Sequence, residues 1–155
     1  MTLKTERSTV GFEIPALPEF VGLVRVMVST LAVARRAIAD DRVDDLKLAV
    51  SEATTNAIES YGHGDRSGRR VFVRWFERAD RLEVEVEDEG GGFDMDAVPR
   101  HPPVTDATRL NFERGLGIPL IKALVDEVSF DTTSLGTLVR LVVYCGPAEE
   151  ELRLG

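Results

Sequence analysis

Between Arg81 and Asp88 the chain reads RLEVEVED, with Leu82, Val84 and Val86 alternating with Glu83, Glu85 and Glu87. Period-two alternation marks a half-buried strand, one face turned to a core and the other to water. Something apolar must therefore cover its inner face. The neighbouring sequence supplies both partners and cover. Arg70–Glu77 reads as a second strand, joined to the first through the short Arg78–Asp80 link, so the two form a hairpin. Val128–Thr133 and Thr137–Tyr144 form another hairpin around Leu135-Gly136, and Val10–Ile14 is a short strand ahead of Pro15 and Pro18.

Three segments read as helices. The first runs from about Glu19 to Ala39, with Leu23, Met27, Leu31 and Ala34 as its stripe. Val21, Val24, Val28 and Ala32 are apolar too, so this helix needs burial on two sides, one of them offered to another protein. A polar break at Asp40–Asp44 separates it from a helix over about Asp44–Ser60. Leu46, Ala49, Val50, Ala53, Ala57 and Ile58 make the stripe of that second helix. Tyr61–Gly68 is a loop by composition. The stretch Glu89–Arg114 holds Pro99, Pro102 and Pro103 and reads as a long irregular loop, a length that usually signals function or disorder. A third helix follows over about Leu116–Asp126, with the stripe Leu120, Ile121, Leu124 and Val125. The order β-α-α-β-β-loop-α-β-β predicts an α+β fold: a two-layer α/β sandwich, its sheet mixed but mostly antiparallel, with helices on one face.

Length and charge narrow the function. The 155 residues fit a single domain over 1–155, with its core at about 10–144. Lys and Arg number 19 against 27 Asp and Glu, a net charge of -8. That balance argues against direct nucleic-acid or anionic-membrane binding, which needs a basic footprint. The longest apolar run, Phe20–Ala34, carries Arg25 and falls short of the ~20 residues that cross a bilayer. The polar Met1–Val10 lacks the apolar stretch of a signal peptide. Cys145 is the sole cysteine, which excludes an intrachain disulfide and a multi-Cys zinc site. A reducing cytoplasm fits these features.

Three segments carry possible chemistry. In SEATTNA, Glu52 and Asn56 stand four apart and share a helix face among small residues. They are either a polar pair at the helix boundary, or a carboxylate and an amide oxygen facing one site. In the second case the carboxylate can take a hydroxyl proton and the amide oxygen can ligate Mg²⁺. Asp88-Glu89-Gly90-Gly91-Gly92 ends a strand. It is either a flexible turn with a solvated aspartate, or a close-approach loop whose Asp88 accepts a hydrogen bond from a ligand amino group. Arg114-Gly115-Leu116-Gly117 opens a helix, and is either a loop needing positive φ or a phosphate-binding helix start.

In combination the three are far more specific. Acid-x-x-x-Asn-Ala on a helix, Asp-x-Gly-x-Gly after a strand, a long lid and Gly-x-Gly opening a helix resemble the GHKL, or histidine kinase-like, ATPase superfamily. Within it, SEATTNA, RGLGIPLIKALVDEVSF and Gly136-Thr137-Leu138-Val139-Arg140-Leu141 are similar to the bacterial anti-sigma factor serine/threonine kinases. The resemblance spans about Val10–Tyr144 and implies the histidine kinase-like ATPase fold. It implies that Asp88 binds the adenine amino group with Thr137 supporting it, and that Asn56 ligates Mg²⁺. Glu52 matches the general base. Gly90 and Gly92 match the first glycine box; Arg114, Gly115 and Gly117 belong to the second, near the triphosphate. Arg25 matches an arginine that docks partners. The family's His-Gly-Tyr element is displaced here, so His63 takes no role; it and His101 read as solvated loop histidines. Arg109 and Arg114 lie in the lid, and neither matches a γ-phosphate contact of the family.

The resemblance implies an anti-sigma factor and ATP-dependent serine/threonine kinase. Such a protein sequesters an alternative sigma factor and phosphorylates a STAS-type anti-anti-sigma protein, working as a homodimer in the cytoplasm. Two alternatives stay open at this level: a nucleotide-dependent binding module without useful kinase activity, and a switch kinase that does not bind sigma.

Overall fold

The alternating segment forms the middle strand of the sheet. The computed structural model describes residues 7–35, 38–90 and 117–145. Among them, strand β1 (Arg7–Pro15) leads through a 3-10 turn at Pro18–Phe20 into helix α1 (Val21–Arg35) and helix α2 (Asp40–Glu59). Strands β2 (Arg70–Glu77) and β3 (Arg81–Asp88) follow, then helix α3 (117–124), β4 (Glu127–Thr132) and β5 (Thr137–Tyr144). The sheet order is β1-β2-β3-β5-β4. Every pairing among the described residues is antiparallel, so the expected mixed component is absent there. The chain crosses from β3 to the edge at β4, and β5 then returns between them. That return sets Asp88 opposite Thr137.

The inner face carries Val71, Val73 and Trp75 of β2, Leu82, Val84 and Val86 of β3, and Val139, Leu141 and Val143 of β5, all buried. Helix α2 lies on this face and buries the whole stripe the sequence marks, from Leu46 to Ile58. The helix starts at Asp40, four residues earlier than expected. Asp40 and Asp41 sit in its first turn, where the helix dipole favours negative charge. Val43 extends the buried stripe, and the Arg42 guanidinium pairs with Asp126 at 3.1 Å and donates to the Leu124 carbonyl at 3.1 Å. The expected polar break is thus the helix's first turn.

Two stripes differ from expectation. In α1 the buried residues are Val24, Val28 and Ala32, while Leu23, Val33 and Ala34 are exposed and Val26 is 62% exposed. A helix apolar all round gives the sequence no way to choose its inner side; packing against α2 chooses it. In α3 the buried apolar side chains are Ile118 and Ile121, with Val125 buried just beyond its end, and Leu120 faces out. The outer face of β3 is the third difference. Glu83 and Glu85 are nearly as buried as the valines between them. Arg78 and Arg81 reach Glu83 at 3.3 and 3.1 Å, and Arg140 and Arg74 reach Glu85 at 3.5 and 3.7 Å. The arginine stems, from β2, β5 and the end of the β2–β3 hairpin, cover the carboxylates while their charged heads pair with them.

Candidate functional site

Helix α2 presents Glu52 and Asn56 on one face, as the four-residue spacing requires. Two neighbouring hydroxyls there are turned back into the helix. Ser51 and Thr54 donate to the Lys47 and Val50 carbonyls, each at 2.7 Å. The ends of Glu52 and Asn56 converge on Gly117, at the start of α3. A Cβ at that glycine would lie 3.3 Å from Glu52 Oε2 and 3.4 Å from Asn56 Oδ1. A side chain there would crowd both groups, so glycine lets the α3 backbone come up against them.

Below Asn56 the helix and sheet enclose a cavity of about 130 Å³. Its walls are mostly apolar, with Ala53 and Ala57 from α2, Ile118 from α3, and Phe130 and Val139 from the sheet. Small residues on α2 leave the space that larger ones would fill. Asp88 and Thr137 stand side by side in its lining.

Asp88 is 5% exposed. Burial pushes its carboxyl above the ordinary aspartate value, since a charged carboxylate is poorly solvated there. The Gly90 N–H, which donates to Asp88 Oδ1 at 2.9 Å, pulls it partly back, as do the nearby Ser60 hydroxyl and the Thr137 backbone. A buried carboxylate lining an apolar pocket can accept a further hydrogen bond from a ligand.

Two glycines hold this floor in place. A Cβ on Gly136 would fall 1.8 Å from the Asp88 carbonyl oxygen, so only a glycine lets β5 begin against the end of β3. A Cβ on Gly90 would meet the Ser60 backbone oxygen at 2.9 Å.

The structure therefore brings Glu52, Asn56, Asp88, Gly90, Gly117 and Thr137 around one cavity and its rim. Arg25 is elsewhere, exposed on α1 beside the exposed Leu23 and Val26. Gly92, Arg114 and Gly115, and the whole lid, lie outside the described residues, as do Arg109 and His101. Sequence reasoning did not single out Ser60, Phe130 or Gly136 as site residues. Gly136 reads as an ordinary hairpin glycine, and its contact with Asp88 depends on a pairing between β3 and β5 that no local pattern announces.

Comparisons with known proteins agree with this fold. The family model for the histidine kinase-like ATPase domain matches residues 14–143, from the end of β1 through β5. The serine-protein kinase RsbW of Bacillus velezensis is 38% identical over 146 residues, which covers 92% of this chain and 89% of that protein. The chain belongs to the RsbW serine-protein kinase family. RsbW of Bacillus subtilis is 37% identical, with the same coverage. The crystal structure of the RsbU and RsbW domains of a Mycobacterium tuberculosis protein shares the fold, with a TM-score of 0.65 at 19% identity. It matches 92% of this chain, which spans 34% of that longer one. RsbW kinases are built on an ATPase domain, so family membership carries ATP use with it.

Proposed function

We propose that this chain is an anti-sigma factor with ATP-dependent serine/threonine kinase activity, acting in the cytoplasm as a homodimer. It sequesters an alternative sigma factor and phosphorylates a STAS-type anti-anti-sigma protein. The observation that carries the reading is the pairing of two dissimilar sites at the two ends of one helix face. A buried acceptor in an apolar cavity suits a purine, and a carboxylate beside an amide suits phosphoryl transfer.

The donor set fits ATP. Asp88 accepts from the adenine amino group, and Thr137 lines the same floor. Asn56, between cavity and rim, offers an amide oxygen to Mg²⁺, which neutralises phosphate charge when bound. No group of three or more His, Cys, Asp or Glu suited to a metal occurs among the described residues. A single protein oxygen is ordinary for Mg²⁺ held mainly by phosphates and water. Glu52 takes the proton from the substrate hydroxyl as its oxygen bonds to the γ-phosphorus. The bond to the ADP oxygen breaks, and ADP leaves. Positioning and electrostatics supply most of such a rate enhancement. Gly92, Arg114 and Gly115 complete the phosphate side in this reading.

The exposed α1 face, with Arg25 among Leu23, Val26 and Val33, serves as the partner surface. A phosphate on the antagonist adds about two negative charges. Facing a chain of net charge -8, it would weaken that complex.

Labelled phosphate transfer from ATP·Mg²⁺ to STAS-domain proteins of the same genome tests the kinase. Transfer to one of them, lost in Glu52→Gln, is the expected result. Absence of transfer to every candidate, with ATP still bound, overturns it in favour of a nucleotide-gated binder. A sigma-factor pull-down tests sequestration separately.

A further inference from the structure

Strands β2 and β3 are hydrogen-bonded at alternate residue pairs, as an antiparallel ladder must be. The Arg78 N–H donates to the Arg81 carbonyl at the turn. Counting in twos from that pair along the register, through Phe76–Glu83, Arg74–Glu85 and Phe72–Glu87, reaches Arg70–Glu89. A direct bond from the Glu89 N–H to the Arg70 carbonyl is due at this point. The structure replaces it. The Glu89 N–H donates to the Tyr61 hydroxyl at 2.8 Å, and that hydroxyl donates to the Arg70 carbonyl at 2.6 Å.

One phenol thus stands in for the rung of the ladder immediately past Asp88. The strands separate there by two hydrogen bonds where the rest of the ladder has one. The freed end of β3 turns, and Gly90 comes to rest against Ser60. Tyr61 follows the C-terminus of α2, where Gly62 in the left-handed region (φ +75°) directs the chain away. Its ring packs on the core, and the Arg69 guanidinium lies over it at 5.6 Å. Burial also raises the pKa of the phenol, keeping it in the protonated form that can donate and accept at once.

We infer that Tyr61 is a positioning residue for nucleotide selection. Its inserted hydroxyl fixes the end of β3 relative to α2, and so fixes Asp88 relative to Asn56 and Glu52. The inference rests on the reading of Asp88 as the adenine acceptor. It adds that purine discrimination is set by a hydroxyl that touches no nucleotide.

The test compares binding of ATP with binding of purine riboside triphosphate, which lacks only the amino group, in the full chain. Wild type is expected to prefer ATP. Tyr61→Phe keeps the ring and removes the inserted rung, and should cut that preference by about tenfold, the worth of one well-placed hydrogen bond. Affinity for the amino-free nucleotide should hold. A merely structural tyrosine would weaken both nucleotides alike and leave their ratio unchanged, which overturns the inference.

Asp88→Asn separates the two layers of the argument. If it too leaves the ratio unchanged, the adenine reading has failed. If it collapses the ratio and Tyr61→Phe does not, only the positioning role has failed. Should Tyr61→Phe not fold, amide exchange at Glu89 in the wild type decides. Slow exchange that ATP slows further, and the amino-free nucleotide does not, supports the inference. Exchange at the rate of an open amide, or no difference between the nucleotides, overturns it.

Discussion

Gly136→Ala isolates the contact on which the candidate adenine floor depends. The added methyl would sit 1.8 Å from the Asp88 carbonyl oxygen, 2.7 Å from the Asp88 carbonyl carbon and 2.8 Å from Glu89 Cα. All three are backbone atoms of the end of β3, so no side chain can swing aside. The 1.8 Å gap has to open to the 3.4 Å at which ordinary contact begins, a backbone shift of about 1.6 Å. A shift of that size takes a hydrogen bond well past its limit, so Asp88 would lose the bond to the adenine amino group proposed for it. A bond to a charged acceptor is worth about 1.5–3 kcal/mol, which is roughly a ten- to hundredfold loss of ATP affinity. Overpacking adds about 1–3 kcal/mol of destabilisation, or roughly 3–10 °C in Tm for a chain this size. Isothermal titration with ATP and thermal unfolding read the two effects. Gly11→Ala is the control, because its nearest neighbour is a flexible side-chain carbon of Arg74 at 3.8 Å. A Gly136→Ala protein that binds ATP as wild type does, with an unchanged Tm, would refute the link between this turn and the site.

Five further outcomes follow from the same geometry. Asp88→Asn should weaken ATP by more than about tenfold while leaving Tm equal or higher, because it removes a carboxylate whose ionisation burial opposes. Since burial raises the folded-state pKa of Asp88, the folded protein holds its proton more tightly than the unfolded chain does. The associated stability is present below the ordinary value of 3.8 and is lost as pH rises through the folded value. Urea unfolding across that range should show the slope, and Asp88→Asn should flatten it. ATP affinity should run the opposite way, falling on acidification through the raised value because the ionised carboxylate is the stronger acceptor; a pH-independent affinity in titration calorimetry would contradict this. Glu52→Gln should cut phosphate transfer by about 10²-fold or more with ATP affinity retained, read by labelled transfer beside direct binding. Arg42→Ala should cost about 1 kcal/mol, seen as a lower denaturation midpoint with m unchanged, since its partners are partly solvated.

Strands β3 and β5 were legible residue for residue, because β3 alternates without interruption, β5 is rich in valine and leucine, and the ends of both are marked by turns. The helix faces were less so. Helix α2 has one apolar side and its stripe was readable, whereas α1 is apolar all round and its buried side is decided by α2. The expected exposure of Glu83 and Glu85 failed for a related reason: Glu85 is covered by Arg74 of β2 and Arg140 of β5, and Glu83 by Arg78 and Arg81 at the hairpin end, pairings that form only with the sheet. At the site, the helical spacing of Glu52 and Asn56 and the strand-end position of Asp88 were both readable. Their meeting around one cavity was not derivable from local pattern; it came from the family resemblance. Tyr61 escaped because its role needs a register, and no residue count along a loop reveals a missing rung.

That difference bears on what holds the site together. Three of the groups proposed to touch the nucleotide sit on two elements, Glu52 and Asn56 on α2 and Asp88 at the end of β3. Neither element fixes the other through a large apolar interface at this end, because the cavity lies between them. What sets this end of the fold is a group of short-range constraints. Tyr61 bridges the open ladder, Gly90 lies on Ser60, Gly136 lies on Asp88 and Gly117 lies under Glu52 and Asn56. Three of the four are glycines where a methyl would meet backbone or functional atoms. The arrangement keeps a cavity open and still sets its ends, which dense side-chain packing could not do without filling it. Substitutions at these four positions should therefore alter nucleotide binding more than their cost in stability implies. Substitutions of similar size in the Val24–Val28–Ala32 stripe of α1 should do the reverse, lowering Tm while leaving ATP affinity unchanged. A scan measuring both quantities at each position would separate the two groups, and a single common correlation between Tm and affinity across all of them would defeat the argument.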